Sequence, residues 1–461
     1  MRRVKRWRRE WILVVGVLLA GVTLACLLVL VPAGVRAMPG RYAARLPDFL
    51  QALRHQSHPE TLPTPDSAFA SPQSEILTPT ALRLSGVTFA TVTPGPGDVT
   101  VTPSVTPFYP KASRTALAPS LPAPTETPTL TPSATPTPLA TTLPVSASLL
   151  PITHTYQAWN NCGPATLSMA LAYWHRAETQ ADAAVVLKSD PEDKNVSPHE
   201  MVDYVRGLGL EATLRVGGDL TRLKRLIAAG LPVLVETWFI PEPGDQMGHY
   251  RLLTGYDDAA GHFIAHDSYN GPDVRLDYVA FDELWRVFDR VYLVVYEAGW
   301  AEQVAAILGE DVQDQAMYAR ALATAQAEAA EPEAECVAYE DCADGEAFAW
   351  FNVGSNLTAL GRHPEAVVAY DQARLLGLPW RMLWYQFGPY ESYYAVGRYE
   401  DVITLATVTL NVVDNLEESY YWRGRAYLAQ ENVDQARADF EAALKYRPNF
   451  AAAARALESL K

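Results

Sequence analysis

Between Pro59 and Pro144 the chain is written mostly in Thr, Pro, Ser and Ala, as in Pro124-Thr-Glu-Thr-Pro-Thr-Leu-Thr-Pro-Ser-Ala-Thr-Pro-Thr-Pro138. Proline fixes φ and removes a backbone donor, and such a stretch lacks the apolar residues that offset the entropy of ordering a chain. No packed core forms across it, so the 461 residues cannot be one continuous globule. About half of the 34 prolines fall here. Residues 36–148 read as a disordered, partly polyproline stalk, of a composition that also suits glycosylation. Plain disorder without reach is the alternative. A short amphipathic piece, Tyr42 to Leu53, precedes the proline-rich part.

Upstream of the stalk, Arg2, Arg3, Lys5, Arg6, Arg8 and Arg9 precede an uncharged apolar run from Trp11 to Val31. About 20 helical residues cross the roughly 30 Å hydrocarbon core of a bilayer. Residues 1–35 therefore read as a basic cytoplasmic tail and a transmembrane anchor, with everything after Val31 extracytoplasmic. A cleaved signal peptide, with Val35-Arg36-Ala37 as its cleavage site, is the rival; its apolar region is normally shorter, about 7–15 residues. Cys26 follows Thr23-Leu24-Ala25, a faint lipoprotein signal, but the apolar run continues past it, so it reads as a membrane-buried side chain.

Charge bounds the partners. The net charge is −16 and the pI near 5.0. Between Met1 and His58 there are ten Lys and Arg against two acids, so the remainder carries about −24. That balance excludes a nucleic-acid binder. Four cysteines are too few for a disulfide scaffold or a multi-zinc protein.

From about Leu149 to Trp300 the pattern changes to helices first and mainly antiparallel strands later, an α+β arrangement. Helices are expected from Cys162 to Trp174, from Ser197-Pro198 to Leu208, and from Leu220 to Ala229 behind an Asp219 cap. Strands are expected at Pro232–Phe239, His249–Tyr256, His262–Asp267, Val274–Tyr278 and Val291–Tyr296.

Three segments in this region carry chemistry. Gln157-Ala-Trp-Asn-Asn-Cys162-Gly163-Pro164-Ala165 puts a cysteine at the start of an apolar helix, where the helix N-terminus and a nearby imidazolium favour a thiolate. Gln157 can return its amide to the same spot and form an oxyanion hole with the Cys162 N–H. The other two segments are Gly248-His249-Tyr-Arg-Leu-Leu-Thr-Gly-Tyr-Asp257 and His262-Phe-Ile-Ala-His-Asp267, joined by a five-residue turn. If Tyr256 pairs with His262, Arg251 stands opposite Asp267 and His249 opposite Tyr269. His249 and Asp267 then share a face, the relation of a general base and its orienting carboxylate. A slip of one residue would move Asp267 to the other face.

In this order and spacing, the three motifs resemble cysteine peptidase family thirty-nine. These are the papain-like peptidases that cut bacteriocin leaders after double glycine, together with their looser relatives. The resemblance covers residues 149–300. It implies a papain-like peptidase domain with Cys162 as nucleophile, His249 as base, Asp267 as orienter and Gln157 as oxyanion donor, without metal or cofactor. The bacteriocin-leader enzymes are cytoplasmic and fused to an export ATPase. This chain has no phosphate-binding Gly-rich Lys motif, so the looser relatives match better and a bacteriocin leader is not the expected substrate. His262 and His266 are the local alternatives for the base. A zinc site from Cys162, His249, His262 and His266 has no tight ligand pair to support it. Trp159, Trp174 and Trp238 read as core or groove walls. The sequons at Asn195 and Asn356 read as chance matches.

The last third is helical. Residues 301–346 read as linker helices, Glu302–Leu308 and Ala316–Ala330 among them. From Ala347 a helix-turn-helix period begins: Trp350, Val353, Gly354, Leu357, then Ala366, Tyr370, Ala373 and Pro379. It returns as Tyr420, Arg423, Gly424, Tyr427, then Ala436, Phe440, Ala443 and Pro448, with a degenerate unit between, Leu383 to Val413. This resembles the tetratricopeptide repeat, whose period is 34. Residues 347–461 are thus expected to be an all-α solenoid of about three units, with a capping helix from Ala451 to Leu460. Such stacks usually bind a peptide or protein; the alternative is a structural extension that props the preceding domain. The aromatic cluster from Trp380 to Tyr394 reads as core first and binding surface second. Cys336 and Cys342, outside the cell by this topology, are placed for a local disulfide.

The expected protein is a membrane-anchored extracytoplasmic cysteine peptidase acting on a peptide or protein substrate. The alternative is a surface scaffold whose pseudo-peptidase domain and repeats only bind.

Overall fold

The structure, a computed structural model, describes residues 61–65, 142–149, 151–190, 193, 195–241, 246–330 and 343–460. The apolar N-terminal run, Cys26, most of the stalk, and Cys336 and Cys342 lie outside the described residues. No helix among the described residues is long and apolar enough to cross a membrane.

The α+β region runs β1 (Ser146–Ser148), α1 (Cys162–Tyr173), α2 (Gln180–Leu187), α3 (Pro198–Gly207), β2 (Glu211–Arg215), α4 (Leu220–Ala228), β3 (Val233–Phe239), β4 (Met247–Asp257), β5 (His262–Asp267), β6 (Gly271–Asp277), α5 (Tyr278–Arg286) and β7 (Tyr292–Tyr296). One sheet has the order β2-β7-β3-β4-β5-β6, with β1 added on β4. The pairings β1–β4, β2–β7, β3–β7, β4–β5 and β5–β6 are all antiparallel. Every residue of β3 and β7 is buried, as befits inner strands of the sheet.

Helix α1 is buried almost all round, the mark of a central helix rather than a surface one. Its polar side chains have partners: Thr166 Oγ1 donates to the Tyr250 carbonyl at 3.1 Å and Ser168 Oγ to Ala165 at 2.8 Å. The Thr166 bond and the packing of Gly163 beside the Tyr250 ring seat the start of α1 on β4. Helix α3 opens on a capping box, with Ser197 and Glu200 each bonding the other's backbone and Pro198 in the first turn. Asp219 caps α4.

The expected stalk gives up two pieces to the folded region. Its last residues are β1, paired Ser146↔Asp257 to Ser148↔Gly255, and Tyr256 Oη holds the Pro144 carbonyl at 2.8 Å. The sheet supplies the hydrogen-bond partners that the sequence context lacks. Far upstream, Thr61 bridges Pro379, Leu62 N–H donates to the Leu378 carbonyl at 2.9 Å, and Leu62 is buried. Arg374 Nε donates to the Pro63 carbonyl at 2.7 Å. Residues 61–65 and 146–148 are therefore ordered parts of the fold and not free stalk.

Helices α6 (Ala301–Leu308) and α7 (Asp314–Ala330) follow β7. The expected linker helix α6 belongs to the α+β core, into which it sends Val304, Ile307 and Leu308 behind Trp300. Asp311 ties this region to α4 through Arg222 and to α7 through Arg320. Then come the pairs α8 (Ala343–Ala359) with α9 (His363–Leu375), α10 (Gly388–Ala395) with α11 (Tyr399–Val412), and α12 (Glu417–Ala429) with α13 (Val433–Tyr446), closed by α14 (Ala451–Glu458). The glycines of the period let each pair close up. A Cβ at Gly354 would fall 2.5 Å from the Tyr370 ring, and one at Gly424 would fall 2.8 Å from Phe440. The aromatic cluster of the middle unit is largely core: Trp380, Trp384, Tyr390 and Tyr393 are buried.

Helix α8 faces the α+β region. Phe348 on α8 packs on Trp238 with ring centroids 5.7 Å apart, and Asn352 Nδ2 donates to the Arg286 carbonyl at 2.6 Å. Arg447, just after α13, pairs with Glu200 on α3 and with Glu417 and Glu418 at the start of α12.

Candidate active site

Asp267 is fully buried and accepts five hydrogen bonds. Oδ1 takes His249 Nε2 at 2.9 Å, Tyr269 N at 2.8 Å and Asn270 N at 2.9 Å. Oδ2 takes Arg251 Nε at 2.8 Å and Asn270 Nδ2 at 3.0 Å. Burial opposes the charge, but the His249 bond, the Arg251 guanidinium and the Asn270 N–H hold the carboxyl well below the usual carboxylate range.

The register that joins His249 to Asp267 differs from expectation at the turn and agrees at the site. The hairpin closes with Asp257 opposite His262, not Tyr256. An irregularity between Leu253 and Gly255 takes up one residue, and Arg251 then stands opposite Asp267. A bulge of this kind re-aims a strand without moving its far end.

His249 is backed by Phe239, whose ring stacks on the imidazole at 4.7 Å. Because Asp267 is ionised, Nε2 carries the proton and Nδ1 is left as an acceptor. Burial lowers the His249 pKa, and the Arg251 charge adds to this, while the Asp267 bond and charge oppose it.

Cys162 opens α1. The residue before it, Asn161, gives its side-chain amide to Gln180 Oε1 at 2.8 Å and does not cap the helix. Gln180 also accepts from Ala158 N and donates to the Tyr156 carbonyl, and Lys188 holds the Asn160 carbonyl at 2.9 Å. Gln180 on α2 and Lys188 just after it thus fix the loop that leads into Cys162. The sulfur lies where the Tyr250 N–H, one residue along β4 from His249, and the Gly163 N–H reach it.

The thiol is not in the state expected from the helix N-terminus. Burial pushes it up to about 11; the two backbone N–H groups and Lys188 act the other way, and Glu236 adds to the rise. Desolvation therefore outweighs the helix end and favours a neutral thiol at pH 7. Glu236 lies on β3, buried, and burial pushes its own carboxyl up to about 8 against the opposing hydrogen bond of Tyr250.

Gln157 is placed by its neighbour in space, Ser268. Its N–H donates to the Ser268 carbonyl at 2.9 Å, and Ser268 Oγ donates to Gln157 Oε1 at 2.9 Å. With the oxygen committed, Nε2 remains as donor. Ser268 follows Asp267 directly, so adjacent residues orient the imidazole and the amide; sequence reading missed it, although its place beside Asp267 was the available signal.

The rival bases lie elsewhere. His266 gives both ring nitrogens to backbone, at Ile152 O (3.1 Å) and Asp273 N (3.4 Å), and His262 bonds Ala260 in the turn. Among the described residues no group of three or more His, Cys, Asp and Glu could hold a metal ion. Of the three tryptophans singled out, Trp174 and Trp238 are core, whereas Trp159 is exposed on the loop before Cys162, as is Tyr156. Tyr269, also exposed, packs edge-on against Phe239 at 5.2 Å.

A model of the Peptidase_C39 like family matches residues 149–293, and a model of the tetratricopeptide repeat matches residues 417–450. The first spans β4, β5 and the start of α1; the second spans α12 and α13. No curated protein matches the chain.

Proposed function

We propose that the chain is a cysteine peptidase, with Cys162 as nucleophile, His249 as general base, Asp267 as its orienting carboxylate and Gln157 as oxyanion donor. The likeness of residues 149–293 to the peptidase family gives the reaction class. The observation that carries the reading is the 2.9 Å bond from His249 Nε2 to a fully ionised Asp267, which leaves Nδ1 free to accept a proton.

The raised thiol and lowered imidazole favour proton transfer during attack over a standing thiolate–imidazolium pair. The Sγ proton passes to His249 Nδ1 as sulfur bonds to the peptide carbonyl carbon. The carbonyl oxygen takes the negative charge and is met by Gln157 Nε2 and the Cys162 N–H. His249 then protonates the leaving amine, the C–N bond breaks, and a water activated by His249 releases the acyl group. Asp267 stabilises the imidazolium at both steps.

Full-length protein incubated with a peptide library should show cleavage that Cys162→Ala abolishes. Cleavage that survives the substitution, or none in either protein, would sink the proposal. A second reading is favoured by the same neutral thiol: a pseudo-peptidase that binds peptides through this cleft, with the repeats as a protein-binding surface. Binding of library peptides without cleavage is its signature.

The basic N-terminus followed by an uncharged run supports a membrane anchor with the folded domains extracytoplasmic. External protease should remove those domains from intact cells; their protection would refute the topology.

A further inference from the structure

The helical domain reaches the candidate site through Tyr385. Tyr385 follows the 3-10 helix Trp380–Trp384, whose Trp380, Met382, Leu383 and Trp384 are all buried. The Tyr385 ring lies on the backbone of Gly248, the residue before His249. A Cβ placed on Gly248 would fall 3.0 Å from Cε1 and 3.0 Å from Cζ of Tyr385, and 3.0 Å from Cζ of Phe288. A Cβ there fits only if a ring gives way by a few tenths of an ångström; the two rings meet edge to face at 5.5 Å. The Gly248 N–H lies near enough to the Tyr385 hydroxyl to act on its charge, and the phenol is close enough to Cys162 for the two charges to interact. Tyr385 itself is only half-buried. The contact thus sits at the end of β4 that delivers His249, on the side of the strand reached by the repeats.

We propose that Tyr385 is a positioning residue of the peptidase site: by clamping Gly248 against Phe288 it fixes the start of β4 and seats His249 toward Cys162, so the site is complete only with the helical domain docked. The proposal rests on the reading of His249 as the base for Cys162. It assigns the repeats a role inside the catalytic unit, beyond that of a prop. A tyrosine that served only to glue the domains together would affect stability and leave the dependence of Cys162 on His249 untouched.

The discriminating measurement is the rate at which iodoacetamide alkylates Cys162 in the full chain between pH 5 and 10, read by mass spectrometry of the Cys162 peptide. The proteins compared are wild type, Y385A, Y385F, H249A and the double variant Y385A/H249A. If Tyr385 acts through His249, Y385A alters the pH profile in the same sense as H249A, and the double variant labels within about twofold of H249A alone. Y385F keeps the ring on Gly248 and loses only the hydroxyl, so it stays within about fivefold of wild type. Gly248→Ala presses on the same ring contact from the other side and shifts the pH profile in the sense of Y385A to a smaller extent, which preserves the test should Y385A fail to fold. A Y385A profile that superimposes on wild type, or effects of Y385A and H249A that multiply independently, overturns the proposal. Turnover is not needed for the readout. A chain that cleaves nothing yet shows the coupling refutes the peptidase reading and supports the clamp; a chain that cleaves with labelling indifferent to Tyr385 does the reverse.

Discussion

Glu236→Gln isolates the electrostatics of the buried site. The carboxyl of Glu236 is raised from 4.5 to about 8 by burial. A raised acid favours the folded state in its protonated form. Its contribution is fully present below the unfolded value and is lost as pH rises through the window from about 4.5 to 8, because the unfolded chain releases the proton first. The shift of about 3.5 units corresponds to about 5 kcal/mol across the whole window, of which about 3 kcal/mol falls between pH 6 and 9. Glutamine is the suitable replacement. It keeps the size of the side chain and cannot take a charge. Asp193 and Asp289 are also raised by burial, to about 8 and about 7, and lose stability in the same direction, but they are common to both proteins and cancel in the difference. Guanidinium unfolding of wild type and Glu236→Gln at intervals from pH 6 to 9 should show the variant gaining on wild type by about 3 kcal/mol at the alkaline end. Alkylation of Cys162 above pH 8 should also be faster in the variant, since the Glu236 charge raises the thiol. A stability difference that stays constant with pH would refute the assignment of Glu236 as a buried, protonated acid.

Ser268→Ala removes the hydroxyl that holds Gln157 Oε1 and should lower kcat toward the 10²–10³-fold loss typical of a missing oxyanion donor, with KM little changed, as steady-state kinetics on any cleaved peptide would show. Gly354→Ala places a Cβ 2.5 Å from the Tyr370 ring; overpacking of this kind should destabilise the helical domain by about 1–3 kcal/mol in denaturant titration.

Most of the α+β region could be read in advance because its elements carry their own signals. Helices α3 and α4 begin at caps written in the sequence, Ser197-Pro198 and Asp219, and lie within a residue or two of expectation. Helix α2 was missed: it is short, and its Thr179 and Asp182 capping box stands in a polar stretch without a clear apolar face. Strand β2 was missed because its outer residues, Glu211 and Arg215, are polar, and only pairing with β7 makes it a strand. Tyr278, expected to end a strand, instead starts α5, because Asp277 turns its carboxylate onto the N–H groups of Val279 and Ala280. In the site, Arg251 stands opposite Asp267 as expected only because the irregularity between Leu253 and Gly255 offsets a one-residue difference at the turn. The rise of the Cys162 thiol was not legible, because it depends on the segments that partly bury it and on Glu236, set against the Tyr250 and Gly163 N–H groups. Ser268, Glu236 and Tyr385 were invisible for a related reason: each acts on a residue far away in the chain, Ser268 on Gln157 being separated by 111 positions.

A carboxylate beside an imidazole ordinarily raises its pKa, yet His249 is lowered. Burial is the larger reason, and Arg251 adds to it. The guanidinium occupies Oδ2 of Asp267 while His249 occupies Oδ1, so the carboxylate's charge is already balanced before the imidazole is protonated. With Cys162 and His249 both neutral, the four side chains carry no net charge, which is the arrangement that a buried site tolerates best. Transfer of the proton from sulfur to Nδ1 separates charge within the same set and still leaves the sum at zero. The cost of that separation is then the stabilisation withheld from the thiolate by burial, and the groups able to reduce it are those already aimed at the sulfur: the N–H groups of Tyr250 and Gly163, and Lys188 more remotely. Substrate binding that draws these donors closer, or a carbonyl that accepts the electrons as they leave sulfur, would favour attack without any standing ion pair. The neutral resting state is thus compatible with catalysis; burial sets it, and Arg251 adds to it at His249.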